Sequence, residues 1–559
     1  MKKRIFTFIR QREALLTTVL LSAAGILYYL PRFLMDGIPH YFNEDTFMHL
    51  NRLVGMRNVW TSPVSFLNFA HNGPAVNIFY PWLPMYPMYL LYRLSGSYVT
   101  GYKLFYLLLT LATLFLCYRV MKKISGSRMS AVLFAVMYSY SAYRFINLFR
   151  RAHLGESIAM TALPLVIFGL YSIAFGDRRY WWSLALGMAG IAYSHNIFLL
   201  ITSLTTGLYV ILSLWFWDQK GQRLLSLCKS AASAILFSLG TFVPTLQYLT
   251  QNSLYTPGGS GQGLQDSAFG LGEIIRSSLR NEPVSYAVGL LVLAALAFLV
   301  IFYVSHLIRK DKTERNPGID FMALTGGLIF LAASSLLPWK TLGDRTALYY
   351  LQFVWRLNSQ STILILAAFA FYFPKVLRSR GLRYCCTLLI IAAAAGLHFS
   401  AILTLHREEN TRILEADIAA GDAITFDYAP SEAKSYRSIH GYTLDDLYIN
   451  GEPYPAEVSY SEDGTEYRIV INAPSAAADA LTADIPVFRY NNQRCTLNGD
   501  VIQTTLSERG TTLAALHPGE ENVLTISYAH TPLTYAAWII SLAAFVLITF
   551  FHMRKFQKA

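Results

Sequence analysis

Charged side chains are scarce in this chain. They make up 14% of its 559 residues, against 54% hydrophobic residues. A water-exposed surface needs about a quarter charged residues, so a wholly soluble protein of this length is excluded. Cysteine is scarce too, with five in all. Cys117, Cys228, Cys385 and Cys386 lie in or beside apolar runs, and Cys495 is the only one in the polar region. That excludes a disulfide within the polar region, and no zinc-ligand spacing occurs. A nucleotide-binding loop is also missing. The stretch Gly258-Gly259-Ser260-Gly261-Gln262-Gly263 has no following Lys-Ser/Thr pair and reads as a flexible loop.

What the chain has is apolar length. A spanning helix needs about 20 apolar residues, and candidates fall near 13–33, 101–120, 127–145, 157–175, 180–197, 198–217, 228–249, 286–307, 319–337, 358–375, 383–403 and 534–552. Residues 79–95 are apolar but carry Pro81, Pro84 and Pro87, and read as an embedded or interfacial element. The expected fold is a polytopic α-helical membrane protein of about 12 transmembrane helices. Met1-Lys2-Lys3-Arg4 precedes an apolar run without a small-residue cleavage site, so that run is expected to stay as the first helix.

Charge is divided unevenly. Residues 403–533 hold 8 basic against 20 acidic residues, a net −12, and the remainder holds 38 basic against 14 acidic, a net +24. The sequence pI near 9.3 is therefore no nucleic-acid signal, because the basic residues cluster at helix ends. With the N-terminus in the cytoplasm, every second loop is basic: Lys122, Lys123 and Arg128; Arg178 and Arg179; Lys220 and Arg223; Arg309 to Arg315; Lys375 to Arg383; and Arg554 to Lys558. Both termini are then cytoplasmic, and the outer face of the plasma membrane receives loops 34–100, 146–156, 250–285 and 338–357. It also receives residues 404–533, where short alternating stretches such as Tyr467–Ile471 are separated by turn residues. These read as an extracytoplasmic β-sandwich, either acceptor-binding or a capping module. The expected domains are 1–403, 404–533, and the final helix with its basic tail, 534–559.

Charge at a membrane boundary is costly unless it is used. After the first helix come Glu44 and Asp45, with His49 and Arg52 at i+4 and i+7 from Asp45, a spacing that puts Asp45, His49 and Arg52 on one helix face. Such a carboxylate suits a general base; a solvated amphipathic helix is the plainer alternative. Arg150, Arg151, His153 and Glu156 sit between two apolar runs on the outer side, where positive charge is unexpected. Arginine suits bidentate phosphate binding, or else headgroup anchoring. Gln352, Trp355 and Arg356 form a third group, either a phosphate contact or an interfacial belt with a snorkelling arginine. Ser194-His195-Asn196 holds a lone imidazole at a helix junction and reads as structural.

The ordered set Asp45-x3-His49-x2-Arg52, Phe79-Tyr80-Pro81, Arg151-x3-Gly155-Glu156 and Gln352-Phe353-x-Trp355-Arg356 resembles bacterial membrane proteins labelled pyruvoyl-tetrahydropterin-synthase-related, and the neighbouring YfhO-like proteins. Both groups look like GT-C glycosyltransferases, and the resemblance covers nearly the whole chain. It implies a GT-C-like membrane domain and a polyprenyl-phosphate-linked sugar donor. It also implies an envelope glycan, lipid or protein acceptor, and a catalytic carboxylate at Asp45, with Glu44 and Glu156 as further acidic candidates. Tyr80 joins His49, Arg52, Arg150, Arg151, His153, Gln352, Trp355 and Arg356 as substrate-binding candidates. Val354 stands where the family more often has proline. No second acidic motif of the metal-binding oligosaccharyltransferase kind is present, so no divalent metal or other cofactor is assigned. Two other classes compete: a transporter or flippase of envelope lipids, which predicts internal repeats and mid-membrane charge, and a non-catalytic envelope assembly protein. No clear repeat is seen.

Cysteine-labelling of intact cells tests the topology. Reporter cysteines in 250–285 and in 404–533 are expected to react with an impermeant reagent from outside, and reaction of either only after lysis contradicts the arrangement.

Overall fold

A computed structural model describes residues 2–41, 45–256, 261–309, 315–408, 411–421, 423–440, 446–474 and 481–557. The chain divides into two compact units, each discontinuous in sequence. The first comprises residues 1–45, 103–235 and 258–412, and the second 46–102, 236–257 and 413–559.

The main helices are α1 (Lys2–Phe33), α2 (Tyr98–Ser125), α3 (Arg128–Ser139), α4 (Ala142–Phe145), α5 (Leu154–Ala174), α6 (Trp181–Ala192), α7 (Asn196–Ser213), α8 (Lys220–Gln251), α9 (Leu290–Arg309), α10 (Pro317–Ala332), α11 (Asn358–Val376), α12 (Arg380–Arg407) and α13 (Pro532–Gln557). Among the described residues, nine helical segments are long and apolar enough to cross a membrane. They correspond to nine of the twelve expected spans. The chain is thus a multi-pass membrane protein by the length and composition of its helices.

The other three expected spans are shorter helices. Stretch 127–145 breaks at Tyr140 and Ser141 into α3, with 12 residues, and the four-residue α4. Helix α6 has 12 residues and α10 has 16. At 1.5 Å per residue, 12 residues cover about 18 Å, short of a hydrocarbon core of about 30 Å. A hydropathy window cannot see this, because a helix that packs against other helices is as apolar as one that meets lipid. Helix α6 illustrates the point. A Cβ on Gly169 would lie 2.2 Å from the backbone nitrogen of Leu184, and one on Gly187 would lie 2.8 Å from that of Val166. Glycine at these positions lets α5 and α6 approach backbone to backbone, the usual use of small residues between membrane helices. Residues 79–95 are also not one span. They form short helices, Val76–Phe79, Leu83–Met85 and Tyr86–Ser95, with Pro81 between the first two and Pro84 and Pro87 in the first turns of the others.

In the second unit, ten strands follow: β1 (Tyr448–Ile449), β2 (Glu452–Pro453), β3 (Glu457–Tyr460), β4 (Glu466–Asn472), β5 (Leu481–Phe488), β6 (Gln493–Leu497), β7 (Asp500–Ile502), β8 (Thr505–Leu506), β9 (Thr511–Leu516) and β10 (Glu521–Tyr528). They make two antiparallel five-stranded sheets, in the orders β8-β9-β5-β1-β2 and β3-β4-β10-β6-β7. Alternation sets their faces: Tyr467, Ile469 and Ile471 of β4 and Leu524, Ile526 and Tyr528 of β10 are buried, with Ala483, Ile485 and Val487 of β5 in the same core. Asn498 and Gly499, both at positive φ, make the two-residue turn between β6 and β7, and Leu497 pairs with Asp500. Phe66, Ile78 and Phe79 from the segment after α1 complete this core. Asn72 fixes the segment to β5, donating from its side chain to Pro486 O at 2.8 Å and accepting from Phe488 N at 2.9 Å. Within the second unit, residues 46–102 therefore pack against the sheets.

Candidate active site

The site of the first unit begins at an irregular helix end. After α4 the chain makes one π-turn, Ile146–Arg150, in which Arg151 N bonds to Ile146 O at 2.8 Å. Ala152 then takes a positive φ of 48°, and α5 starts with His153 as its N-cap. The His153 imidazole Nδ1 accepts from the Glu156 backbone N–H at 3.3 Å, the part usually played by a serine or aspartate. Glu156 falls three residues into the helix, where the helix dipole favours a negative charge.

Glu156 is fully buried, and two arginines converge on it. Arg356 Nε lies 2.8 Å from Oε1, and Arg151 Nη1 lies 3.4 Å from Oε2. Tyr143 donates its hydroxyl to the same Oε2 at 3.1 Å. Each arginine is held separately. Arg151 donates to Asn147 Oδ1 at 2.7 Å and stacks its guanidinium 4.4 Å from the centre of the Trp355 ring. Arg356 donates to Gln352 Oε1 at 2.7 Å and to Leu351 O at 3.2 Å, and is 3% exposed. Gln352 itself adopts a positive φ of 61°, between the 3-10 turns Ala347–Leu351 and Val354–Leu357. A strained non-glycine residue beside buried charge is a familiar mark of a functional site.

Asp45 joins this cluster at the end of the segment that follows α1. Its backbone N–H donates to Arg151 O at 3.1 Å, and its Oδ2 lies 3.7 Å from His153 Nε2. Its side chain is 45% exposed, so this carboxylate meets solvent while Glu156 does not. The structure thus brings together Asp45, Arg151, His153, Glu156, Gln352, Trp355 and Arg356, from three distant stretches of chain.

Other candidates are placed differently. Arg150 turns away, donating to Pro283 O at 2.6 Å and pairing with Glu408 at 3.3 Å. The reason is rotational: neighbouring residues on a helical turn point about 100° apart. His49, Arg52 and Tyr80 belong to the second unit. There the buried Arg52 donates to Asn77 Oδ1 at 3.0 Å, Tyr80 O at 2.7 Å and His49 Nδ1 at 3.2 Å. Burial pulls its guanidinium down to about 10. Tyr80 donates to Asp427 at 3.2 Å, and burial raises that carboxyl above its ordinary range. Glu44 lies outside the described residues.

Three further residues, Tyr143, Arg144 and Asn147, carry no signal of their own in the sequence, and His195 reads there as structural. Tyr143 and Asn147 precede Arg151 at intervals of four, a helix-face spacing hidden inside an apolar run. His195, read as structural, has its ring 4.9 Å from that of His153. Gly155 permits this approach, since a Cβ there would lie 2.8 Å from Ser194 O and 3.0 Å from His195 Cδ2. Arg144, fully buried one residue beyond Tyr143, donates to Thr113 Oγ1 at 2.6 Å and Thr161 Oγ1 at 3.2 Å. Among the described residues it has no carboxylate at salt-bridge distance. A buried arginine in a membrane protein is costly unless its donors are used.

No family model matches the chain. An uncharacterized protein of Lactococcus lactis subsp. cremoris (strain MG1363) is 25% identical over 285 residues, which is 48% of this chain and 45% of the relative. Among solved structures, the chain is similar to the cryo-EM structure of the arabinofuranosyltransferase AftD from mycobacteria, with a TM-score of 0.39 and 15% identity, over 76% of this chain and 28% of that one. For an arginine-to-serine mutant of the same protein the figures are 0.40, 16%, 69% and 28%. The chain thus spans under half the length of the curated relative and under a third of these structures.

Glu156→Gln is expected to leave two buried guanidinium groups short of their counter-charge and to destabilise the protein by about 3–5 kcal/mol. Gly155→Ala is expected to cost about 1–3 kcal/mol through overpacking against Ser194. Thermal unfolding of the detergent-purified chain measures both, and unchanged melting in either variant contradicts the described packing.

Proposed function

We propose that the chain is a membrane glycosyltransferase of the GT-C type. It moves a sugar from a polyprenyl-phosphate carrier to a cell-envelope acceptor on the extracytoplasmic side. The observation that carries this reading is the meeting of a solvent-reachable carboxylate, Asp45, with two arginines that share one buried counter-ion, Glu156. Two guanidinium cations stand beside two carboxylates, Glu156 buried between them and Asp45 at the solvent-facing edge, and the guanidinium groups are the part of the cluster suited to a phosphodiester monoanion.

The chemistry follows from that pairing. The acceptor hydroxyl oxygen attacks the anomeric carbon, and its proton passes to Asp45 as general base. The bond from the anomeric carbon to the phosphate oxygen breaks, and the polyprenyl phosphate leaves with the bonding pair and gains negative charge. Arg151 and Arg356 stabilise that developing charge more than they stabilise the starting diester, which is what lowers the barrier. Glu156, Asn147, Gln352 and Trp355 hold the arginines in place, so little reorganisation is required during the reaction. The runner-up, a transporter of envelope lipids, has no comparable use for a base beside the cations.

The mass of envelope glycans in cells that depend on this chain tests the reading. Asp45→Asn is expected to slow sugar transfer by about 10²–10⁴ at unchanged protein level, and Arg356→Lys to impair it because a point charge does not replace a planar fork. Unchanged glycan mass and transfer rate in the Asp45→Asn strain contradict the assignment.

A further inference from the structure

In the second unit, the helix Tyr86–Ser95 is apolar on both of its sides. Met88 and Tyr89 are buried, as is Met85 in the turn before it. On the other side Leu83, Pro87, Leu90 and Leu94 are exposed. Their spacing of four, three and four residues keeps them in one stripe. Leu90 is 47% exposed and Leu94 85%. A helix that met water along such a stripe would carry polar residues there. A continuous exposed apolar surface instead marks contact with a membrane or another protein. The helix has ten residues. It is therefore about 15 Å long, half of a hydrocarbon core of about 30 Å, and cannot cross a bilayer.

The start of α13 shows which partner the stripe meets. Trp538, six residues after Pro532 at the head of that helix, packs edge-on against Trp60 and Trp82, with ring centres 5.7 Å from each. Trp60 and Trp82 are 4.4 Å apart, and Tyr86 lies 5.5 Å from Trp60 and 5.9 Å from Trp82. Tyr535 donates its hydroxyl to Trp60 O at 3.3 Å. The aromatic cluster thus fixes the first turn of the short helix to the first turns of α13. That helix is long and apolar enough to cross a membrane, and its Leu533, Ile539, Ile540 and Leu542 are exposed, a face that lipid covers. Tryptophan and tyrosine gather where a spanning helix enters the bilayer. The stripe therefore begins at the level of that boundary. Arg93 is exposed beside it, with an aliphatic stem that can lie along the leucines and a charged head that suits lipid phosphate.

We propose that the helix Tyr86–Ser95 is an in-plane membrane anchor, and that its Leu83–Leu94 stripe lies in the headgroup–acyl boundary of the leaflet that α13 enters. The partner is phospholipid. Phe66, Ile78 and Phe79 of the same segment belong to the core of the sheets. The anchor thus ties the sheets to the bilayer at a second point besides α13.

Fluorescence quenching in phosphatidylcholine proteoliposomes tests the placement. The full chain carries serine in place of Cys228, Cys385 and Cys386, and the remaining cysteines, Cys117 and Cys495, are buried. Leu90→Cys, Leu94→Cys, Leu542→Cys and Ser459→Cys are then made one at a time and labelled with bimane, with thermal unfolding as control. Leu542 is ten residues after Pro532, so its label marks the middle of the hydrocarbon, about 15 Å along α13. Ser459, exposed on β3, marks water. Interfacial helices lie about 5–10 Å into the boundary. Bromines near the headgroup end of the acyl chain are therefore expected to quench the labels at 90 and 94 at least about twofold more than bromines at the chain end, with the reverse order at 542. Aqueous iodide is expected to quench both labels no more than about half as strongly as the label at 459. Iodide quenching equal to that at 459, without a response to brominated lipid, overturns the anchor. Stronger quenching from the chain end at 90 and 94 overturns the in-plane placement. Labels shielded from both quenchers also overturn it, since protein, a second copy or another partner, then covers the stripe.

Discussion

Glu156 is a carboxylate without access to water, and much of the first unit is arranged around keeping it compensated. An isolated buried charge is costly, and breaking a buried pair by removing one partner costs several kcal/mol. Arg151 and Arg356 meet that requirement from two stretches of chain about 200 residues apart, so the ion cluster joins the start of α5 to the loop before α11. The supporting contacts follow in order. Asn147 and Trp355 hold Arg151, Gln352 and Leu351 O hold Arg356, and Tyr143 fills the remaining position on the carboxylate. The π-turn and the positive φ values at Ala152 and Gln352 are local costs of delivering both arginines to one point.

The cluster is enclosed on one side and open on the other. Its interior partners are buried, whereas Asp45 is 45% exposed on its side chain. That asymmetry suits a site where a fixed cation pair holds one end of a substrate and a solvent-reachable carboxylate serves an incoming hydroxyl. The two carboxylates of the cluster therefore have different environments, and different environments suit different roles. In the proposed reaction Glu156 balances and orients the arginines, and Asp45 takes the proton.

Much of this was legible in the sequence because membranes make charge conspicuous. Arg151, Glu156 and Arg356 stand at the edges of apolar runs, where an unused charge is expensive. Nine of the twelve expected spans are helices long and apolar enough to cross, and Tyr467–Ile471 reads as a strand by simple alternation. What escaped did so for identifiable reasons. Tyr143, Arg144 and Asn147 lie where neighbouring apolar residues mask a helix-face pattern. His195 looked like an isolated imidazole because its partner, His153, is 42 positions away. Arg150 looked equivalent to Arg151 because adjacency in sequence says nothing about direction around a helical turn. Residues 46–102 belong with the β-sheets through Asn72 and Phe66, contacts formed across some 400 residues of chain that local patterns cannot announce.

A cryo-EM structure of the full chain with a bound polyprenyl-phosphate sugar tests the central claim most directly. The account predicts phosphate oxygens within about 3 Å of the Arg151 and Arg356 guanidinium groups, and an anomeric carbon that an acceptor hydroxyl bonded to Asp45 can reach. A phosphate seated elsewhere, with Glu156 and both arginines unchanged and Asp45 out of hydrogen-bond reach of any acceptor position, would contradict it.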